Sequence, residues 1–188
     1  MKGKDHRALA RYLLGQKGEG STPWGGWRRR FFLVGCVTPD YIPLTYLRGF
    51  RQSRAMLGHH AKYSQARIRR TMGRLQAHGV RGLWDCFRLG TLMHYLSDSF
   101  TYPHTERFRG GMREHRRYEQ GFHACFLAYL QRQSALTCPI RRLFDSLEEW
   151  LGTLRARYEA SEQSFLSDCD HILLACSTVF NRLCGAER

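Results

Sequence analysis

The apolar residues of this chain recur with the period of an α-helix along most of its length. Between residues 83 and 100 they lie nearly all round the predicted helix, which is typical of a helix buried in the protein interior. Four more helices, each with its apolar residues on one side, are predicted at 3–14, 52–78, 112–131 and 161–184. No stretch alternates with the period of two that indicates a strand. The pattern therefore predicts an all-α protein.

Two further helices are predicted from the residues that begin them. One is expected to start near Thr22 and Pro23, because threonine is a good N-cap and proline suits the first helical position. Another is expected to open at Pro139, where apolar residues again follow the helical period. Together these segments predict a single bundle of roughly seven helices, in which residues 1–188 form one domain.

The helix after Pro23 carries a stripe of aromatic residues at helical spacing. The stripe consists of Trp24, Trp27, Phe31 and Phe32. Aromatic residues beside the arginines at 28–30 are also found at membrane interfaces, but we interpret the stripe as part of the core. The segment 35–43 contains glycine and proline and is predicted to end this helix, which puts Asp40 in a turn.

The most informative chemistry lies between residues 89 and 119. His94 and Asp98 stand four residues apart, and so do His115 and Glu119. This spacing places each pair on one face of a helix, with Cβ atoms about 5–6 Å apart. Imidazole nitrogen and carboxylate oxygen are common zinc ligands, and a carboxylate on a buried helix is costly unless something pairs with it. The stretch therefore predicts the centre of a zinc site. The alternative is two solvated helix faces joined by a turn.

The first pair belongs to a longer string, HYLSDSFTYPH, which begins at His94 and ends at His104, and the HxxxE pattern of His115 and Glu119 follows it. This order resembles the ligand string of the zinc-dependent phospholipases C, bacterial enzymes that share an all-helical fold with the fungal single-strand-specific nucleases. The resemblance extends upstream to GCVTPDYIPLTYLRG and to the GHH sequence at 58–60. It covers most of the first 120 residues of the chain.

The resemblance implies a buried site for two or three zinc ions. One ion would be held by Asp40, His94, Asp98 and either His59 or His60, of which His59 matches the family pattern better. Another would be held by His104, His115 and Glu119. A third, bridged to the first through Asp98, would use His6, where the family also uses the terminal amine of the mature chain. Asp40 is further implied as the base that orients the attacking water.

The charge of the chain is strongly positive. It has 30 lysine and arginine residues against 16 acidic residues, a formal net charge of +14. Most of the basic residues are arginine, whose planar guanidinium suits phosphate recognition. Such a field attracts anions, so phospholipid headgroups, nucleic acids and other phosphate esters become candidate partners. The alternative is a basic surface that only binds solvent.

The cysteine pattern and the hydropathy of the chain indicate the expected cellular compartment. The seven cysteines are odd in number and none forms a CxxC pair, which favours buried reduced thiols over a disulfide framework. The first residues lack the apolar core of a signal peptide, and no apolar run reaches the length of a transmembrane helix. We therefore expect a cytoplasmic protein, with peripheral contact at a membrane left open.

The residues and the resemblance together imply hydrolysis of a phosphate ester. The favoured hypothesis is phospholipase C-like cleavage of a phospholipid to diacylglycerol and a phosphorylated headgroup. A zinc-dependent nuclease would use similar chemistry on a nucleic-acid backbone, and its binding would depend steeply on salt. The third hypothesis is a helical module without catalytic activity, in which the metal is structural.

Overall fold

The computed structural model of the chain describes residues 1–15, 24–41, 61–133 and 146–184. Within these ranges the regular structure consists of seven α-helices and one 3₁₀ turn, and no strand occurs there. The helices are α1 (Gly3–Gly15), α2 (Gly26–Tyr41), α3 (Ala61–His78), α4 (Leu83–Ser99), α5 (Met112–Arg132), α6 (Leu147–Ala160) and α7 (Phe165–Cys184), and the 3₁₀ turn (Tyr102–His104) joins α4 to α5. The predicted all-α class is confirmed.

Helix α4 is the centre of the fold. It packs against α1, α2, α3 and α7, and every residue from Leu92 to Ser99 is buried. The prediction of a buried helix from an all-round apolar pattern is therefore confirmed. Because the second half of α4 is surrounded by other helices, polar side chains there face protein atoms instead of solvent.

Two glycines let α2 and α4 touch along their backbones. A Cβ atom added to Gly35 would lie 2.2 Å from the carbonyl oxygen of Phe87, and one added to Gly90 would lie 2.2 Å from the carbonyl oxygen of Phe32. Any larger residue at either position would force the helices apart. This crossing brings the backbone of α2 within hydrogen-bonding distance of His94 on α4.

The prediction that segment 35–43 ends the second helix is wrong for the residues that the structure describes. Helix α2 continues through Gly35 and Pro39 to Tyr41. Gly35 serves the helix crossing, and Pro39 lies in the last turns, where its missing N–H removes a single intrahelical bond. Asp40 therefore lies in the last turn of a helix, next to α1 and α4.

The aromatic stripe of α2 is divided between core and surface. Trp24 and Phe32 are buried and pack against the ring of Phe180, at centroid distances of 6.0 and 5.3 Å. Phe31 is half-buried and Trp27 is 65 % exposed. The interpretation of the stripe as core is therefore confirmed for Trp24 and Phe32 and for Phe31, which packs against the core, and it is wrong for Trp27. Trp27 and Phe32 are separated by about 140° around the helix, which is too wide an angle for one buried face.

The remaining elements follow the expected order with shifted bounds. The last helix begins at Phe165 instead of 161, and the helix expected at Pro139 is described only from Leu147, since 134–145 lie outside the described residues. In the part of the chain that the structure covers, no disulfide joins any of the six cysteines, which are Cys36, Cys86, Cys125, Cys169, Cys176 and Cys184. Among the described helices, none combines the length and apolar character needed to cross a membrane.

The helix crossing generates a stability prediction. We expect Gly90→Ala to lower the free energy of unfolding by about 1–3 kcal/mol, because the added methyl group meets backbone atoms. Gly73→Ala on α3 is the matched control: it lies inside a helix, and an added Cβ has no atom within 4 Å. That variant should gain about 0.5–1 kcal/mol. Urea unfolding measures both, and a stabilised Gly90→Ala protein would contradict the close crossing.

Candidate metal centre

The buried half of α4 presents His94 and Asp98 on one face. His94 Nε2 lies 3.4 Å from Asp98 Oδ2, as the four-residue spacing predicts. His94 Nδ1 lies 3.0 Å from the carbonyl oxygen of Cys36 on α2. Because a carbonyl oxygen only accepts, Nδ1 must carry a proton, and Nε2 faces Asp98. A hydrogen bond of this kind commonly orients a histidine that binds a metal.

Helix α1 adds His6 to the same face. The His6 ring stacks on the His94 ring with centroids 3.9 Å apart, and His6 Nε2 lies 3.3 Å from Asp98 Oδ1. The hydroxyl of Ser97 donates to the carbonyl oxygen of His94, so it accepts a hydrogen bond from His6 Nδ1, 3.1 Å away. His6 Nε2 is therefore directed towards Asp98, and this buried atom makes no hydrogen bond of its own.

Asp40 approaches this group from the end of α2. Its Oδ1 lies 3.7 Å from His94 Nε2, and its Oδ2 lies 3.9 Å from His6 Nε2. We call His6, His94 and Asp98 the first cluster, because a ligand atom of each lies within 4.8 Å of the others. The resemblance implied a further zinc at His6, bridged to the first through Asp98, and this assignment stays a prediction. His59 and His60 lie outside the described residues.

The second cluster consists of His104, His115 and Glu119, whose ligand atoms also lie within 4.8 Å of one another. His104 comes from the 3₁₀ turn, and the other two residues lie one turn apart on α5, with Nε2 and Oε1 separated by 3.2 Å. The rings of His104 and His115 meet edge to face at 4.9 Å. His115 Nδ1 is a second buried nitrogen without a hydrogen bond.

The amino group of Met1 lies between the two clusters. Its nitrogen is 2.8 Å from Asp98 Oδ1, 3.2 Å from Glu119 Oε1 and 3.3 Å from His104 Nε2. Burial alone disfavours the ammonium form, but the carboxylates of Asp98 and Glu119 outweigh it and raise the pKa of this amino group to about 10. The position between the clusters therefore favours a positive charge.

The pKa values of the carboxylates of Asp98 and Glu119 are shifted in the opposite direction. Burial raises the pKa of Asp98, but the Met1 amino group and the histidines around it hold this pKa well below its usual value. Burial is likewise outweighed at Glu119, where His115 and the amino group lower the pKa to about 2. Both groups are therefore anionic at neutral pH. Ionised carboxylates buried this close together require cations near them.

The donor set fits zinc. Six residues of the two clusters and Asp40 supply imidazole nitrogens and carboxylate oxygens, which are the ligands of catalytic zinc sites. The amino group of Met1 marks a place where a cation is stabilised, and two buried nitrogens of the clusters, His6 Nε2 and His115 Nδ1, make no hydrogen bond. The three carboxylates Asp40, Asp98 and Glu119 would balance most of the charge of two divalent ions.

Sequence reasoning missed the residues that support the clusters. Ser97 and the carbonyl of Cys36 orient the two histidines of the first cluster. Asp5 is fully buried beside His6 and pairs with His123 of α5, which ties α1 to the helix of the second cluster. A signal for Asp5 was present, since an acidic residue directly precedes a proposed ligand. No local signal pointed to the backbone carbonyl of Cys36.

The fold and the two clusters define an all-helical protein with a buried histidine and carboxylate centre suited to metal ions. The family model described as zinc dependent phospholipase C matches residues 21–165, which include every residue of the two clusters except His6. The chain belongs to the zinc-dependent phospholipase C family. No curated protein and no solved structure matches it significantly.

Asp98 belongs to the first cluster and also contacts His104 of the second, and this position generates a prediction for zinc content. We expect the purified protein to hold at least two zinc ions and Asp98→Asn to lose most of them. The amide keeps the shape of the side chain but removes the charge that separates the cations. Elemental analysis after dialysis measures the stoichiometry.

The matched control is Asp170→Asn, an exposed aspartate on α7 that accepts a hydrogen bond from Tyr129. It should retain the zinc of the unmodified protein, and both variants should keep their helical circular dichroism. Equal zinc content in the two variants would show that Asp98 is an ordinary helix residue.

Proposed function

We propose that the protein is a zinc-dependent phosphodiester hydrolase that cleaves phospholipids in the manner of a phospholipase C. The observation that carries this proposal is that Asp98, a member of the first cluster, also reaches the second cluster. Its Oδ1 lies 3.3 Å from His6 Nε2 in the first cluster and 4.0 Å from His104 Nε2 in the second. Two metal sites this close can act on the same phosphodiester group.

The proposed zinc ligands are Asp40, His59, His94, Asp98 and His6 on the side of the first cluster, and His104, His115 and Glu119 on the side of the second. Zinc bound there supplies a Lewis acid for a phosphate oxygen and lowers the pKa of a bound water towards about 7. Two or three ions are consistent with three carboxylates and four described histidines.

Asp40 is the proposed base. Its side chain is 22 % exposed, compared with 4 % for Asp98 and 13 % for Glu119, so it is the most accessible carboxylate of the centre. From the end of α2 it can accept the proton of a water molecule that attacks phosphorus. Hydrolysis then adds the hydroxyl group to phosphorus and returns a proton to the glycerol oxygen, which leaves as diacylglycerol.

The rest of the chain is consistent with one domain and an anionic substrate. The buried apolar residues form a single cluster, which extends from Met1, just before α1, to Leu183 in α7. This cluster supports the proposal that residues 1–188 fold as one unit. The formal net charge of +14 favours phosphate esters. Because the same charge also favours nucleic acids, a zinc-dependent nuclease is the second candidate.

A substrate panel tests this proposal. Zinc-loaded protein should release diacylglycerol and a phosphorylated headgroup from mixed micelles of phosphatidylcholine, phosphatidylethanolamine or phosphatidylglycerol, and a chelator should stop the release. Asp40→Asn should lower the rate by about 10²–10⁴-fold, as expected for loss of a general base, while Asp170→Asn should not.

Cleavage of single-stranded DNA or RNA without release of diacylglycerol would assign the site to a nuclease. Full zinc content with no hydrolysis of either substrate class would assign it to a structural metal. If Asp40→Asn loses zinc in proportion to activity, the loss of a ligand accounts for the lower rate and the additional role of Asp40 as base is wrong.

A further inference from the structure

Exposed apolar side chains are concentrated on one side of the molecule. Of the seven large hydrophobic residues that are exposed in the described ranges, five belong to α2 and the first turn of α4. These five are Trp27 (65 %), Val34 (53 %), Tyr41 (70 %), Leu83 (39 %) and Trp84 (66 %). The other two, Met112 and Leu166, begin α5 and α7.

On α2 the exposed residues belong to a second stripe, which differs from the aromatic stripe described for the sequence. Trp27, Phe31, Val34, Thr38 and Tyr41 follow each other at intervals of four, three, four and three residues, which keeps them on one face of the helix. The buried residues of α2, which are Phe32, Gly35, Cys36 and Pro39, are centred about 130° away around the helix. The stripe is therefore not the core face of the helix.

Aromatic residues at the start of α4 lie beside this stripe and enlarge the exposed apolar surface. The ring of Trp84 meets Phe31 edge to face at 5.9 Å, and it meets Phe87 at the same distance. We call the stripe of α2 together with Leu83, Trp84 and Phe87 the aromatic face. Because α2 and α4 cross closely at Gly35 and Gly90, the two parts of this face lie side by side. Contiguous exposed apolar patches of this kind mark interaction sites.

The charges beside the aromatic face identify the kind of partner. The guanidinium of Arg30 lies over the Trp27 ring at 5.1 Å, and Arg81 is exposed three residues before Trp84. Arg28 donates to the carbonyl oxygen of Arg81, which ties the start of α2 to the residues before α4. Tryptophan with arginine suits the boundary between water and lipid, where rings enter the headgroup layer and cations meet anionic phosphates.

The aromatic face also ends at the metal centre. Tyr41 directly follows Asp40 in the last turn of α2, and its ring lies against Gly3 of α1. A planar surface that covers the stripe therefore reaches the side on which Asp40 is accessible. We propose that the aromatic face docks on an anionic phospholipid bilayer, with Trp27 and Trp84 in the headgroup layer. The proposal rests on the proposed function only in taking lipid as substrate.

Vesicle binding tests the proposal separately from catalysis. Zinc-loaded protein is mixed by stopped flow with brominated vesicles, either of phosphatidylcholine alone or of phosphatidylcholine with an equal amount of phosphatidylglycerol. Tryptophan quenching should be strong only with phosphatidylglycerol. The double variant Trp27→Ala/Trp84→Ala should bind at least about tenfold more weakly, as measured by vesicle flotation, and should hydrolyse a water-soluble nitrophenyl phosphodiester at the unmodified rate.

The matched control is Met112→Ala/Leu166→Ala, which removes the two exposed apolar side chains outside the aromatic face and should bind vesicles normally. Equal vesicle binding by both double variants would overturn the proposal. So would self-association of the chain that depends on Trp27 and Trp84, measured by sedimentation, without vesicle binding. Vesicle binding without any hydrolysis would contradict the proposed function and leave the docking face intact.

A second inference comes from a buried carboxylate outside the two clusters. Asp168 on α7 is completely buried and accepts three hydrogen bonds. They come from the backbone N–H of Tyr102 at 2.9 Å, the hydroxyl of Tyr118 at 2.8 Å and the hydroxyl of Tyr158 at 2.7 Å. Burial and the neighbouring Asp168 raise the pKa of both tyrosines, so their hydroxyls remain donors.

Two of these donors lie next to residues of the second cluster. Tyr102 begins the 3₁₀ turn that ends at His104, and Tyr118 directly precedes Glu119 on α5. The carboxylate of Asp168 therefore joins the two elements that must meet for the second cluster to form. We infer that Asp168 is a positioning residue for metal binding at the second cluster. Tyr158 belongs to α6, which carries no residue of either cluster.

Competitive chelator titration of zinc tests this inference. Asp168→Asn and Tyr118→Phe should each weaken one zinc site by about 10–100-fold, the usual effect of losing a group that orients a ligand. Tyr158→Phe removes a hydrogen bond to the same carboxylate and should leave zinc affinity unchanged, although it can lower thermal stability. If Tyr118→Phe and Tyr158→Phe alter zinc affinity equally, Asp168 only stabilises the fold and the inference is wrong.

Discussion

Asp98 is an ionised carboxylate in the most buried part of the central helix. Burial alone would raise its pKa, and only the positive or polar groups that converge on it keep it anionic. Those groups come from α1, the 3₁₀ turn and α4 itself, so the need to surround this charge determines how the elements meet. Bound zinc would satisfy the same requirement with full charges, which links the stability of the fold to the metal centre.

The close crossing of α2 and α4 converts this requirement into a defined geometry. Without a side chain at Gly35 or Gly90, the backbone of α2 reaches His94, and the carbonyl of Cys36 fixes which nitrogen carries the proton. The same helix then delivers Asp40 to the open side of the centre and leaves its opposite face to solvent. One packing contact thus serves the orientation of a ligand, the position of the proposed base and the aromatic face.

Sequence reasoning recovered what depends on local spacing. The buried helix and the pair of His94 and Asp98 follow from the period of the α-helix, and the structure agrees with both. The stacking of His6 on His94 could not be predicted, because the two residues lie 88 residues apart in the chain. The hydrogen bonds of Asp168 could not be predicted either, because its partners lie 10 to 66 residues away and meet it only through packing. The course of α2 was misjudged because Gly35 serves the contact with α4 and Pro39 lies in the last turns, where it removes only one intrahelical bond.

The most direct measurement is X-ray diffraction from crystals of the zinc-loaded protein at energies on either side of the zinc absorption edge. The account predicts an anomalous peak in each cluster, with nitrogen and oxygen ligands at about 2.0–2.2 Å. It also predicts that the Met1 amino group no longer holds its place between Asp98 and Glu119 as an ammonium ion. Zinc peaks that lie only on the protein surface, with the clusters empty, would contradict it.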